Sequence, residues 1–220
     1  MSAREPLLEG RRAVIVSGGT LGPWALTELQ EDDYLIGADR GAYFLVENGR
    51  TPDLSIGDFD SVAPDELEAV RCGSRTFVSC DPVMKDWTDT EMALVWALDR
   101  GPREIRMLGV LGTRLDHSLA NIQLLVQALR RGIPCSIADA HNELTLTDGS
   151  LALLSSRFTH VSLLPLTPEV KGVTLDGFRY PLQDAVLTMG QSLGVSNVQE
   201  QPTARIFVRE GLLLVIRSLD

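Results

Sequence analysis

The sequence predicts an α/β domain with a mainly parallel sheet flanked by helices, followed by a smaller all-β, sandwich-like domain. Three observations carry this. Short apolar or β-branched runs alternate with helical stretches as far as residue 139, the pattern of a parallel sheet with crossover helices. From about residue 142 the runs are strand-like and joined by glycine and proline turns, and no further helix is predicted. No low-complexity linker intervenes, so the domains are expected at 1–140 and 141–220, packed tightly.

The elements follow in order. After Arg12, "AVIVSGG" is a β-branched run ending in glycines, a strand running into a tight loop. "PWALTELQ" has the length of a short helix. "DYLIGADRGA" is a second strand with Asp39 just past its end, and "AYFLVENG" is helical in spacing and stops at Gly49. "PDLSIGDFDS" is a third strand with Asp58 and Asp60 at its end. "PDELEAVRC" is a helix with Pro64 and acids in its first turn. "TFVSC" is a short strand. "DWTDTEMALVWALDRG" is a helix whose apolar positions 92, 95, 96 and 98 share one side, ended by Gly101. "EIRMLGVLG", "DHSLANIQLLVQALRRG" and "PCSIADA" add strand, helix and strand. Beyond them, "NELTLTDGS", "THVSLLPLT", "GVTLDGF", "DAVLTMG" and "ARIFVREGLLLVI" read as strands, the last as a hairpin about Glu210 and Gly211.

Composition narrows the function classes. The net charge of −10 argues against a protein that binds nucleic-acid phosphates. No apolar run reaches the roughly 18 residues of a membrane span, and "MSAREPLLEGRR" lacks the apolar core of a secretory signal. A cytoplasmic protein without membrane partners is the expectation. Cys72, Cys80 and Cys135 show no C-x-x-C spacing, so they are expected as buried small residues rather than a disulfide framework or zinc site. Trp87 and Trp96 are expected in packing.

The acids carry the chemistry. Asp39, Asp58, Asp60 and Asp116 are placed at or just after strand C-termini, the edge at which open α/β sheets bind ligands. Asp86 and Asp89 are three apart at the start of a predicted helix and can share its face, or Thr88 and Glu91 can simply cap it. Close carboxylates repel unless a cation lies between them. Hard oxygen ligands suit Mg²⁺, which bridges to phosphates. With Lys85, Arg40 and Arg114 nearby, the set suggests a magnesium–nucleotide site. There is no Walker A lysine: "SGGTLG" at 17–22 is a weak phosphate-loop signal or a plain strand-to-helix turn.

"GADRGA" at 37–42, "PDLSIGDFDS" at 52–61, "KDWTDTEMAL" at 85–94 and "GTRLDHSLANI" at 112–122, in that order and spacing, resemble the thiamine pyrophosphokinase family. "GVTLDGFRYPL", "LGVSN" and "GLLLVI" look like that family's β-domain, so the resemblance covers nearly the whole chain. It implies Mg²⁺-dependent transfer of a pyrophosphoryl group from ATP to the hydroxyl of thiamine, giving thiamine diphosphate and AMP. It implies homodimers with active sites shared between subunits, the second domain binding thiamine and dimerising. By resemblance, Asp58, Asp60, Asp89 and Asp116 are the catalytic acids, the first three holding the metal. Asp39, Lys85, Asp86, Arg114 and His117 line the nucleotide, and Tyr180, Ser196 and Asn197 contact thiamine. Arg40 and Thr113 stand where the family commonly has glycine. Two other readings are a non-catalytic nucleotide- or thiamine-binding regulator and another Mg²⁺-dependent phosphotransferase on the same scaffold.

Overall fold

The structure is a computed structural model and describes residues 7–80 and 86–219. Lys85 lies outside the described residues. The chain divides into two compact units, one ending at Ala140 and one beginning at His141.

In the first unit the strands are β1 (Arg12–Val16), β2 (Tyr34–Ala38), β3 (Leu54–Gly57), β4 (Phe77–Ser79), β5 (Glu104–Leu108) and β6 (Cys135–Ala138). They form a parallel sheet in the order β4-β3-β2-β1-β5-β6. Helices α1 (Pro23–Thr27), α2 (Arg40–Glu47), α3 (Pro64–Gly73), α4 (Asp89–Leu98) and α5 (Leu115–Arg130) connect them. All five residues of β1 are buried, which requires cover on both faces of the sheet. Val14 and Val16 pack with Ala25 of α1 and Leu45 of α2. The chain builds outward from β1 through β4, then crosses back to add β5 on the other side of β1. That reversal opens a crevice at the carboxyl ends of β1 and β5, where doubly wound sheets take their ligands. Close packing above β1 depends on Gly41, because a Cβ there would collide with the Val16 carbonyl.

Two helices differ from expectation. Asp86 lies ahead of α4, which starts only at Asp89, so the two acids do not share a helix face. Thr88 is the N-cap, its Oγ1 accepting from the Glu91 amide at 3.2 Å. The buried face of α4 is Thr90, Ala93, Leu94, Ala97 and Leu98, rotated from positions 92, 95 and 96. The alanines permit close approach to the sheet, whereas Trp96 goes to the flank, stacked on Tyr34 at 5.5 Å. Asp116 sits in the first turn of α5 rather than at a strand end. Only Cys135 of the three cysteines is buried; Cys72 is exposed and Cys80 half-buried.

The second unit contains β7 (Asn142–Thr147), β8 (Ser150–Leu154), β9 (His160–Pro165), β10 (Glu169–Asp176), β11 (Ala185–Thr188), β12 (Thr203–Phe207) and β13 (Leu213–Ser218). Antiparallel pairing gives one layer in the order β7-β13-β9 and another in the order β11-β10-β12-β8. Alternate residues interleave between the layers: Val161 and Leu163, Val173 and Leu175, Ala204 and Ile206, Leu213 and Val215. Each fully buried aliphatic side chain contributes roughly 1.5–3 kcal/mol. The hairpin expected about Glu210 and Gly211 is not formed. β12 pairs with β10 and β8, whereas β13 pairs with β7 and β9, so this turn carries the chain from one layer to the other. Pairing of Lys171 with Glu210 at the turn explains why: β10, not β13, takes the hydrogen bonds of this segment. No helix among the described residues is long and apolar enough to cross a membrane.

Candidate active site

The carboxyl ends of β1, β2, β3 and β5 open onto a cavity of about 810 Å³. Asp39 and Arg40 reach it from the end of β2, Asp58, Asp60 and Ser61 from the end of β3, and Asp86, Trp87 and Asp89 from the head of α4. Residues 109–114 after β5, with His117 and Asn121 of α5, complete the wall.

The "GDFD" loop explains how two acids face one way. Phe59 adopts a left-handed backbone, φ 57°. Its ring is buried and stacked on Phe77 at 4.8 Å, beside Ala42, Val62 and Val70. With the aromatic ring anchored inward, Asp58 and Asp60 are both left at the cavity. Asp39 is also left-handed, φ 51° and ψ −125°. Such non-glycine conformations cost roughly 1–3 kcal/mol each and concentrate at functional sites.

Asp39, Asp58 and Asp60 each offer one carboxylate oxygen, all within 4.8 Å of one another. The Asp60 amide donates to Asp58 Oδ1 and the Asp58 amide to Asp89 Oδ1, both at 3.2 Å. The Ser61 hydroxyl donates to Asp39 Oδ2. Asp39 Oδ1 is buried and has no hydrogen-bond partner among the described residues. Burial raises the pKa of Asp39; Asp89 and Asp60 raise it further, against the lowering effect of Ser61 and the Arg40 amide. Three converging hard oxygens, on acids that include the burial-disfavoured Asp39 anion, fit a Mg²⁺ ion.

The resemblance groups Asp39 with nucleotide contacts; the fold brings it to Asp58 and Asp60, on the rim where its place after a strand put it. Asp89 lines the same cavity, its Oδ1 accepting from the Asp58 amide. Asp116 is outside the cavity wall, exposed and paired with Arg114 at 2.6 Å, which holds its carboxyl below the usual range. His117 lines the cavity with Nε2 3.9 Å from Asp116. "SGGTLG" is tied down as a turn: the amides of Gly19 and Thr20 donate to the carbonyls of Gly109 and Leu111, at 2.6 and 2.8 Å.

Several lining groups escape sequence reasoning. Ser17 and Thr90 share a buried hydroxyl–hydroxyl bond of 2.9 Å. Asn121 donates to the Val110 carbonyl at 2.7 Å and braces the loop after β5. Trp87, expected in packing, is half-exposed at the cavity. None of these sits in a pattern that periodicity or charge would single out.

Tyr180, Ser196 and Asn197 belong to the second unit. Tyr180 is 60% exposed, and Ser196 is exposed with φ 59°. Asn197 is buried, and its amide is engaged by main chain. Nδ2 donates to the Tyr180 carbonyl at 2.8 Å, and Oδ1 accepts from the amides of Tyr180 and Val198 at 3.1 and 2.8 Å.

Fold and cavity define a class: α/β proteins that gather carboxylates at the carboxyl edge of a parallel sheet, here followed by a β-sandwich. Comparison with known proteins narrows it. Residues 26–137 match the family model described as thiamin pyrophosphokinase, catalytic domain, and residues 151–213 match that of its vitamin B1 binding domain. The chain is 31% identical over 210 residues to a thiamine pyrophosphokinase of Bacillus subtilis, covering 94% of this chain and 98% of that one. The crystal structure of thiamine pyrophosphokinase from Bacillus subtilis superposes with a TM-score of 0.89 at 30% identity, covering 96% of this chain and all (100%) of that one. That of the Geobacillus thermodenitrificans protein gives 0.85 at 35%, covering 95% and 98%. The chain belongs to the thiamine pyrophosphokinase family.

Proposed function

We propose that the protein transfers a pyrophosphoryl group from ATP to the hydroxyl of thiamine, releasing thiamine diphosphate and AMP. The observation that carries this reading is the convergence of Asp39, Asp58 and Asp60, with an orphaned oxygen, in a family member's cavity. Asp39, Asp58 and Asp60 would hold Mg²⁺, with Asp89 at the same cavity. The ion would supply charge neutralisation for the polyphosphate, the largest requirement in phosphoryl transfer. Arg114 and His117 stand where they can meet phosphate oxygens, and Lys85 belongs to the same expected set. The thiamine hydroxyl attacks the β-phosphorus, the bond to the α-phosphate oxygen breaks, and AMP leaves with that oxygen. A cavity carboxylate within reach takes the hydroxyl proton. On the second unit, the exposed Tyr180 ring offers a face for the flat cationic ligand, and Ser196 precedes Asn197, whose amide bonds the Tyr180 main chain.

A homodimer with shared sites accompanies this reading. Its support is family membership and the exposed apolar side chains Val186, Met189, Leu193 and Val195 of the second unit. Mixing inactive Tyr180 and Asp58 variants tests it: recovered activity in mixed dimers supports sharing, and none there argues against it. The reaction itself is tested by product analysis with thiamine, ATP and Mg²⁺, with and without EDTA. Thiamine diphosphate and AMP should appear together and only with metal. Thiamine monophosphate and ADP would overturn the proposed point of attack.

A further inference from the structure

The second carboxylate of the "GDFDS" loop is followed by Ser61, whose side chain is at the cavity and exposed. Its hydroxyl donates to Asp39 Oδ2 across the gap between the loop after β3 and the start of α2. The return bond comes from Arg40, whose Nη1 donates to the Ser61 carbonyl at 2.9 Å. Residues 39–40 and residue 61 therefore clasp each other: the Asp39 side chain takes the Ser61 hydroxyl and the Arg40 side chain takes the Ser61 carbonyl. The effect on Asp39 is asymmetric: Oδ2 is occupied, while Oδ1 stays buried without a partner among the described residues.

We propose that Ser61 is a positioning residue for the cation site, holding the Asp39 carboxylate through Oδ2 so that it stands preformed beside Asp58 and Asp60. The inference rests on the cation reading above and adds a role for a side chain outside the carboxylate set. Asp39 alone could rotate about its side-chain torsions; it is the N-cap of α2 but its side chain makes no cap hydrogen bond, so Ser61 supplies the orientation. Partners that orient ligating carboxylates typically matter 10–100-fold in metal affinity.

The test is Mn²⁺ titration followed by electron paramagnetic resonance, without turnover, on wild type, Ser61→Ala and Ser61→Thr. Thiamine binding and thermal melting are measured on the same proteins. In the absence of nucleotide, Ser61→Ala should weaken Mn²⁺ binding at least about 10-fold, in the range such partners command. Ser61→Thr, which keeps a hydroxyl, should recover most of the loss, with thiamine affinity unchanged in both. Equal Mn²⁺ affinity in wild type and Ser61→Ala would overturn the proposal. Wild type that binds Mn²⁺ only with a non-hydrolysable ATP analogue would overturn the preformed site but leave the function intact. No Mn²⁺ binding under either condition would overturn the cation reading itself.

Discussion

Arg12 grips Asp33 with both ends of its guanidinium, Nε and Nη2 each 2.7 Å from a carboxylate oxygen. The two side chains are 9% and 0% exposed. The pair joins the start of β1 to the approach to β2, at the edge of the sheet opposite the cavity. Asp33 also accepts from the Gln30 amide at 2.7 Å, and Arg12 donates to the Glu28 carbonyl at 2.7 Å. Removing one partner strands a buried charge. Asp33→Ala should destabilise the protein by about 3–5 kcal/mol in denaturant unfolding, while KM for thiamine and ATP in the folded fraction stays unchanged.

Asp58→Asn should reduce turnover about 10²–10³-fold, the usual loss for a removed electrostatic stabiliser of the transition state. Steady-state assays read the loss, and melting should show a protein as stable as wild type. A residual rate within a few-fold of wild type would remove Asp58 from the charge-neutralising set.

Asp39 sets a pH dependence. Its folded carboxyl holds a proton more tightly than the unfolded chain does, chiefly because it is buried. The resulting stabilisation is present below the unfolded pKa and is lost as pH rises through the folded one. A divalent cation competes with the same proton. Mn²⁺ affinity of the nucleotide-free protein should therefore fall, on acidification, at a pH above the ordinary aspartate range, and a limb inside that range would contradict it.

Burial pushes the Cys135 thiol up to about 12, whereas Cys72 is exposed and bonded to Glu68. Thiolates are the reactive species. At pH 8 a chromogenic disulfide reagent should leave Cys135 unmodified in the native protein and titrate it only after unfolding.

Asn197→Ala strips three main-chain hydrogen bonds from the Tyr180 and Val198 segment. Leaving buried main-chain groups unpaired costs about 1–3 kcal/mol. The variant should melt lower and bind thiamine more weakly, whereas Mn²⁺ binding should not change. Undiminished thiamine affinity would mean that the Tyr180 ledge does not need this anchor.

Alternation of strand and helix was legible because a parallel sheet buried on both faces writes itself as repeated apolar runs, such as "AVIV" and "YLIGA". The carboxylate edge was legible for the same reason: Asp39 and Asp58 directly follow strands. Pairing partners were not. "FVREGLLLV" has the local look of a hairpin, and only the competition of β10 for its backbone decides otherwise. The face of α4 was hidden because its apolar residues run nearly all round, and alanine wins by size rather than hydrophobicity. Ser61 and Thr90 stayed invisible because a single hydroxyl acquires meaning only from what the fold sets opposite it.

Asp39 and Phe59 occupy backbone conformations that glycine would adopt without strain. Asp39→Gly should relax the chain and remove a carboxyl whose anion burial disfavours, so on the cation reading the proposed ligand is held at a cost to the fold. Selection for folding alone would let the carboxylate drift out of the lineage. Stabilising screens blind to activity would be expected to lose this position early.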